Sequence, residues 1–136
     1  MKHENEYKEI IETAFEVIKR EKLPTPVSIR IRRSLSGTRK RRGVCHIDYT
    51  TNDYRISVTN TESKFYEDPN GKFTDNKTGI KFSRALIGIE RSYKVIIEVM
   101  AHEIAHLKFW KHDAQHKSYT NYILNKMING LGDIYV

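Results

Sequence analysis

The chain has 136 residues, 38% of them hydrophobic, a formal net charge of +7 and one cysteine. That length suits a single domain, residues 1–136, built on one core; no apolar run approaches the roughly 20 residues that span a bilayer, and Cys45 alone can form neither an internal disulfide nor a thiolate zinc module. The first residues, MKHENEYKEI, are charged and lack the apolar stretch of a signal peptide, so together with the cysteine count they predict an intracellular rather than a secreted protein.

In chain order, residues 4–23 place Tyr7, Ile10, Ile11, Ala14, Phe15 and Ile18 at the i, i+3, i+4 spacing of an amphipathic helix, which should end near Leu23, before Pro24. The period then changes to two. Val27, Ile29 and Ile31 alternate with Ser28, Arg30 and Arg32, and Tyr54, Ile56 and Val58 alternate with Arg55 and Ser57, as half-buried strands do. GVCHIDYT between them is a shorter candidate strand, TTND a hairpin turn and SGTRKRRG the preceding loop. The expected result is a helix followed by a small, mainly antiparallel sheet.

The charge is unevenly placed along this stretch. Between Pro26 and His46 stand Arg30, Arg32, Arg33, Arg39, Lys40, Arg41 and Arg42, without one Asp or Glu, a segment suited to a polyanion. Residues 60–90 are rich in Asn, Asp, Lys and Gly. DPNG can turn between short strands there, or the segment can be an ordered surface loop, so it stays open. RSYKVIIEVMAHEIAHLKFW then reads as a long helix, apolar on more than one face and therefore buried. Asp113 is a suitable N-cap for a last helix, which Gly130 can end as its C-terminal cap.

Four of the six histidines fall within residues 101–116. Residues four apart on a helix lie on nearly the same side, one turn up, so His102 and His106 can chelate one ion. A catalytic zinc takes three protein ligands and leaves the fourth position to water. His112 can supply the third if the helix ends near Phe109 and the chain turns back. Glu103 projects at a different angle, where in H-E-x-x-H enzymes the carboxylate accepts the proton of the water and later passes it to the leaving amine.

Bland readings exist for these residues too, since two histidines at i and i+4 also occur by chance. A third histidine at a productive spacing, and the cost of burying His and Glu without partners on an apolar helix, favour a metal site. His116 reads as a substitute ligand, a supporting group behind the ligands, or a surface residue. His3 reads as solvated and His46 as structural. The spacing to His112 also matches the third histidine of metzincins, but Phe109 stands at their glycine, and Met127 reads as core. Tyr119 and Tyr122 are candidates to stabilise an oxyanion, although tyrosines at this spacing are more often core residues.

HEIAHLKFWKHDAQH, with the order helix, basic strands, active-site helix and terminal helix, resembles the SprT-like zinc metalloproteases, which include Spartan and related DNA-repair peptidases. The resemblance is close over about 16 residues and loose over most of the chain. It implies an α+β, zincin-like fold, one Zn2+ per chain held by His102, His106 and His112, and Glu103 as general base. The implied function is endopeptidase cleavage of DNA-bound or DNA-crosslinked proteins. Members often carry an aromatic residue four positions after the third histidine, where this chain has His116. Several also carry a zinc ribbon, which one cysteine cannot build.

Three functions compete at this point. The first is the zinc endopeptidase, with a protein substrate docked as an added strand along one of the strands within 43–59. The second is a nucleic-acid-binding protein with a structural zinc, in which Arg30, Arg32, Arg39, Lys40, Arg41 and Arg42 contact the phosphates of single-stranded or duplex DNA. The third is a zinc hydrolase of a non-peptide amide. None of the three calls for a membrane.

Overall fold

The computed structural model describes residues 3–33 and 42–135, and within them all side chains except those of residues 62–66 and 84–89. The architecture is α+β. The element order is α1 (Glu4–Arg20), β1 (Ser28–Arg32), β2 (Gly43–Asp48), β3 (Asp53–Thr59), β4 (Thr61–Glu67), β5 (Phe73–Thr74), β6 (Lys81–Glu90), α2 (Tyr93–Ala105), α3 (Ala114–Leu131) and a 3-10 turn at Gly132–Ile134.

The amphipathic stripe of α1 buries Ile10, Ala14, Val17 and Ile18. The helix stops at Arg20, earlier than Leu23, through a left-handed C-terminal cap. Lys22 adopts φ 55°, its N–H bonds to the Lys19 carbonyl and the Leu23 N–H to the Ile18 carbonyl, both at 3.1 Å. This is the paired bonding of a Schellman motif, with lysine where glycine is usual. Pro24 and Pro26 follow, and the chain enters β1.

The strands order as β1-β3-β2, with β1 parallel and β2 antiparallel to β3. The expected hairpin between β2 and β3 is present, its turn carrying Asn52 at φ 59°. The sheet is nevertheless mixed, because β3 lies between its two predecessors. The burial pattern gives the reason: Ile56 and Val58 on β3 are fully buried, and the central place is the one covered along both edges. One face points inward through the cross-strand rows Ile29–Ile56–Cys45 and Ile31–Val58–Gly43. All three helices contribute to the core against it, through Ile10, Ile18, Ile96, Ile97, Met100, Ile104, Ile123 and Met127. Each such fully buried side chain contributes roughly 1.5–3 kcal/mol by leaving water. Met127 is thus a core residue, as its spacing suggested.

Residues 60–90 are not a loop. They form a second, antiparallel sheet of order β4-β6-β5, with a register irregularity between Ser63 and Phe65. Its base is tied to the first sheet: the Asn60 N–H bonds to the Arg32 carbonyl and the Arg91 N–H to the Asn60 carbonyl, at 2.8 and 2.7 Å. His3 is also drawn in there. Its ring bonds to the Tyr93 hydroxyl and, at 3.2 Å, to Glu90, so it is not the freely solvated residue expected.

The helix α2 starts at Ser92, whose hydroxyl caps the Val95 N–H. It ends at Ala105 rather than near Phe109. Asp113 caps α3 as expected, accepting the His116 N–H at 3.0 Å. The C-cap of α3 is Gly132 at φ 48°, not Gly130. Gly130 lies inside the helix, where a Cβ would meet Thr13 of α1 at 3.0 Å. No helix among the described residues is long and apolar enough to cross a membrane.

Candidate metal centre

The last turn of α2 tightens as it ends. The His106 N–H bonds to the Glu103 carbonyl, three residues back, and Leu107 and Lys108 repeat the pattern on Ile104 and Ala105. The chain can then reverse through Phe109–His112 into the capped start of α3. This reversal brings His112 back over the helix end.

The Nε2 atoms of the three expected ligands converge. His106 lies 3.3 Å from His102 and 3.0 Å from His112, and His102 lies 3.1 Å from His112. Two nitrogens each about 2.0–2.1 Å from a tetrahedral ion are about 3.3 Å apart, so the triangle is the size that one such ion requires. Among the described residues these three histidines form the one cluster suited to an ion.

Protonation and orientation suit the same task. Burial pushes the His102 imidazole down to about 4, with His116, His106 and His112 adding to the shift. Burial likewise lowers His106. Both rings are therefore neutral at neutral pH, as a ligand must be. The Nδ1 of His106 lies 3.1 Å from the Phe109 carbonyl. Because a carbonyl only accepts, that nitrogen carries the proton, and Nε2 keeps its lone pair for an ion.

Glu103 is 5% exposed and lines the same cleft as the three histidines. Its carboxylate packs against the backbone of β2, where a Cβ on Gly43 would lie 2.9 Å from Oε2 and 2.8 Å from Val99. Glycine is thus what lets β2 approach this face of α2. The sequence reading missed Gly43; its only signal was a glycine at the start of a strand, which by itself reads as a loop residue. Cys45 also borders the cleft, but burial and then Glu103 push its thiol up to about 12, so it stays protonated and is a poor ligand.

The cleft has a volume of about 830 Å3. Its walls are mixed: Val44 from β2, Val95 and Val99 from α2, Trp110 from the turn and Leu124 from α3 supply an apolar part, and Arg42, Glu98, Thr120 and Asn121 supply polar groups beside the histidines and Glu103. β2 is an edge strand of its sheet. Neither Tyr119 nor Tyr122 lines this cleft. Their rings stack on each other, and the Tyr122 hydroxyl donates to Glu21 on α1, so the proposed oxyanion role finds no geometric support. His116 is buried behind these three histidines rather than on the surface, its Nε2 3.1 Å from the His102 carbonyl.

The basic segment divides. Arg30 and Arg32 are exposed on the outer face of the first sheet, opposite the helices. The strand register adds two residues that charge counting within 26–46 could not join to them: Arg55, also exposed, and exposed His46, in one row with Ser28. Asp48 lies at the end of this face near Arg55 and His46. Arg42 borders the cleft instead. Arg39, Lys40 and Arg41 lie outside the described residues.

Comparison with protein-family models, with curated proteins and with solved structures finds no match.

Proposed function

We propose that this chain is a zinc-dependent endopeptidase with a zincin-like fold, similar to the SprT-like proteases, and that it acts on proteins bound or crosslinked to DNA. The observation that carries the reading is the convergence of three Nε2 atoms to within 3.0–3.3 Å at a cleft that Glu103 also lines.

Zinc held by His102, His106 and His112 would supply Lewis acidity, lowering the pKa of a water towards about 7. The remaining steps belong to the chain. The edge of β2 receives the substrate backbone as an added strand, and the apolar part of the cleft wall receives a side chain beside the scissile bond. Glu103 accepts the proton of the attacking water as its oxygen bonds to the carbonyl carbon. The same carboxyl then delivers that proton to the amine nitrogen as the carbon–nitrogen bond breaks. Burial among Gly43, Val99 and the helix keeps its orientation fixed.

The DNA component rests on a different observation, the exposed Arg30, Arg32 and Arg55 on one sheet face. Phosphates would be held there while the cleft at the edge strand works on the attached protein. The arginine face also favours the second reading, a nucleic-acid-binding protein with a structural metal.

The test is cleavage of an unfolded protein by the zinc-loaded chain, with and without single-stranded DNA. Glu103→Gln should keep zinc and lose cleavage by at least about 100-fold, the lower range for a general base; His106→Ala should lose both. Cleavage that rises with DNA supports the whole proposal. Glu103-dependent cleavage indifferent to DNA keeps the peptidase alone. Zinc bound without Glu103-dependent cleavage in either condition would leave a structural metal or a non-peptide amide as substrate.

A further inference from the structure

A fourth histidine is built into the corner where the other three meet, and it serves a different purpose. His116 is 3% exposed, on the first turn of α3. Its ring stacks on His106 with centroids 4.1 Å apart and planes 24° apart, and meets His102 edge-on at 4.5 Å. Its Nε2 lies 3.1 Å from the main-chain oxygen of His102. Since that oxygen can only accept, Nε2 carries a proton and is turned away from service as a ligand.

The backbone explains why a donor is needed at that point. In a regular helix the His102 carbonyl would receive the N–H of residue 106. Here the His106 N–H goes to Glu103, because the turn has tightened. Carbonyls at a helix end need partners from elsewhere, and a buried one left without a partner is costly. The His116 ring supplies the donor. At its other end the N–H of the same residue completes the cap of α3, bonded to Asp113 at 3.0 Å, and inside the helix its carbonyl receives the Thr120 hydroxyl at 2.8 Å. His112 stands directly before that cap. One residue therefore holds both segments that carry ligands, the tightened turn of His102 and His106 and the turn of His112.

We infer that His116 is a positioning residue, whose ring N–H and flat face hold the end of α2 in the shape that converges the three ligand nitrogens before an ion arrives. The inference rests on the metal-site reading and makes no use of the peptidase reading.

The experiment compares His116→Phe, which keeps a flat ring but removes the donor, with His116→Gln, which keeps a side-chain N–H. Zinc affinity is measured by competition with a chromophoric chelator, and coordination by the visible spectrum of the cobalt(II)-loaded protein, with His106→Ala as the control for a lost ligand. His116→Phe should bind zinc roughly 10- to 100-fold more weakly, the usual effect of removing a group that orients a ligand. At saturating cobalt its spectrum should still be that of the parent. His116→Gln should recover most of the affinity. Parent-like affinity in His116→Phe overturns the inference, as does a Gln variant no better than Phe. A cobalt spectrum altered in the manner of His106→Ala also overturns it, by making His116 a ligand. A parent chain that takes up neither metal overturns the metal-site reading itself, a separate result.

Discussion

Burial decides what the two helical histidines do at neutral pH. An isolated imidazole titrates near 6.5, whereas burial takes His102 to about 4 and lowers His106. Between those values the unfolded chain takes up protons that the folded chain refuses. Stability is therefore present in full above about pH 6.5 and falls as the pH drops toward 4. Urea unfolding of the metal-free protein should show a midpoint that declines across this window; a midpoint constant from pH 7 to 4.5 would contradict the burial argument. Gly43 sets a second condition at this scale. The methyl group of Gly43→Ala would stand 2.9 Å from the Glu103 carboxylate and 2.8 Å from Val99, so one of them must move. On the peptidase proposal, zinc affinity should change little, because the histidines are untouched, while kcat falls at least about 10-fold as Glu103 loses its place. Equal loss of zinc and turnover would mean that the strand had shifted as a whole.

At the scale of elements, periodicity carried most of the information. The apolar stripes of α1 and α2, the alternation in β1 and β3 and the Asp113 cap were all legible, because each depends on residues within one or two turns of each other. So was the convergence of three histidines, since His102 and His106 share a helix face and His112 follows the reversal of the chain. The central position of β3 was not legible, as strand pairing is a long-range choice that local alternation leaves open. The second sheet was hidden by turn-forming residues such as Asp68, Asn70 and Gly71 between β4 and β5, which left the stretch open to reading as a surface loop. His116 could not be assigned either: its partner is a main-chain oxygen, which leaves no mark in the sequence. The end of α1 offers a direct check on the backbone reading. Lys22 holds a left-handed conformation that L-residues occupy at a cost of roughly 1–2 kcal/mol, and that glycine adopts freely. Lys22→Gly should stabilise the protein by roughly 0.5–1 kcal/mol, after the greater freedom of glycine in the unfolded chain is subtracted. Calorimetry should show a Tm raised by about 2–4 °C.

Across the whole molecule, the first sheet presents two surfaces. The cleft borders the outer edge of β2, and the outer face of the sheet carries Arg30 and Arg32 on β1, across β3 from that edge, with Arg55 on β3 between them. Reversing these three arginines to Glu should weaken DNA binding without altering zinc content. The slope of log affinity against log salt should also become shallower, by roughly 0.9 for each duplex-DNA phosphate that the variant no longer neutralises. An unchanged slope would make the face ordinary solvated surface.

The second sheet leaves and rejoins the scaffold at Asn60 and Arg91, whose backbones are already hydrogen-bonded to each other at 2.7 Å. A chain spliced between those two points would have almost no gap to bridge. Residues 61–90 thus have the form of a graft: an appendage that could be gained, exchanged or trimmed over generations while the histidine corner, at the far end of α2, stayed as it was.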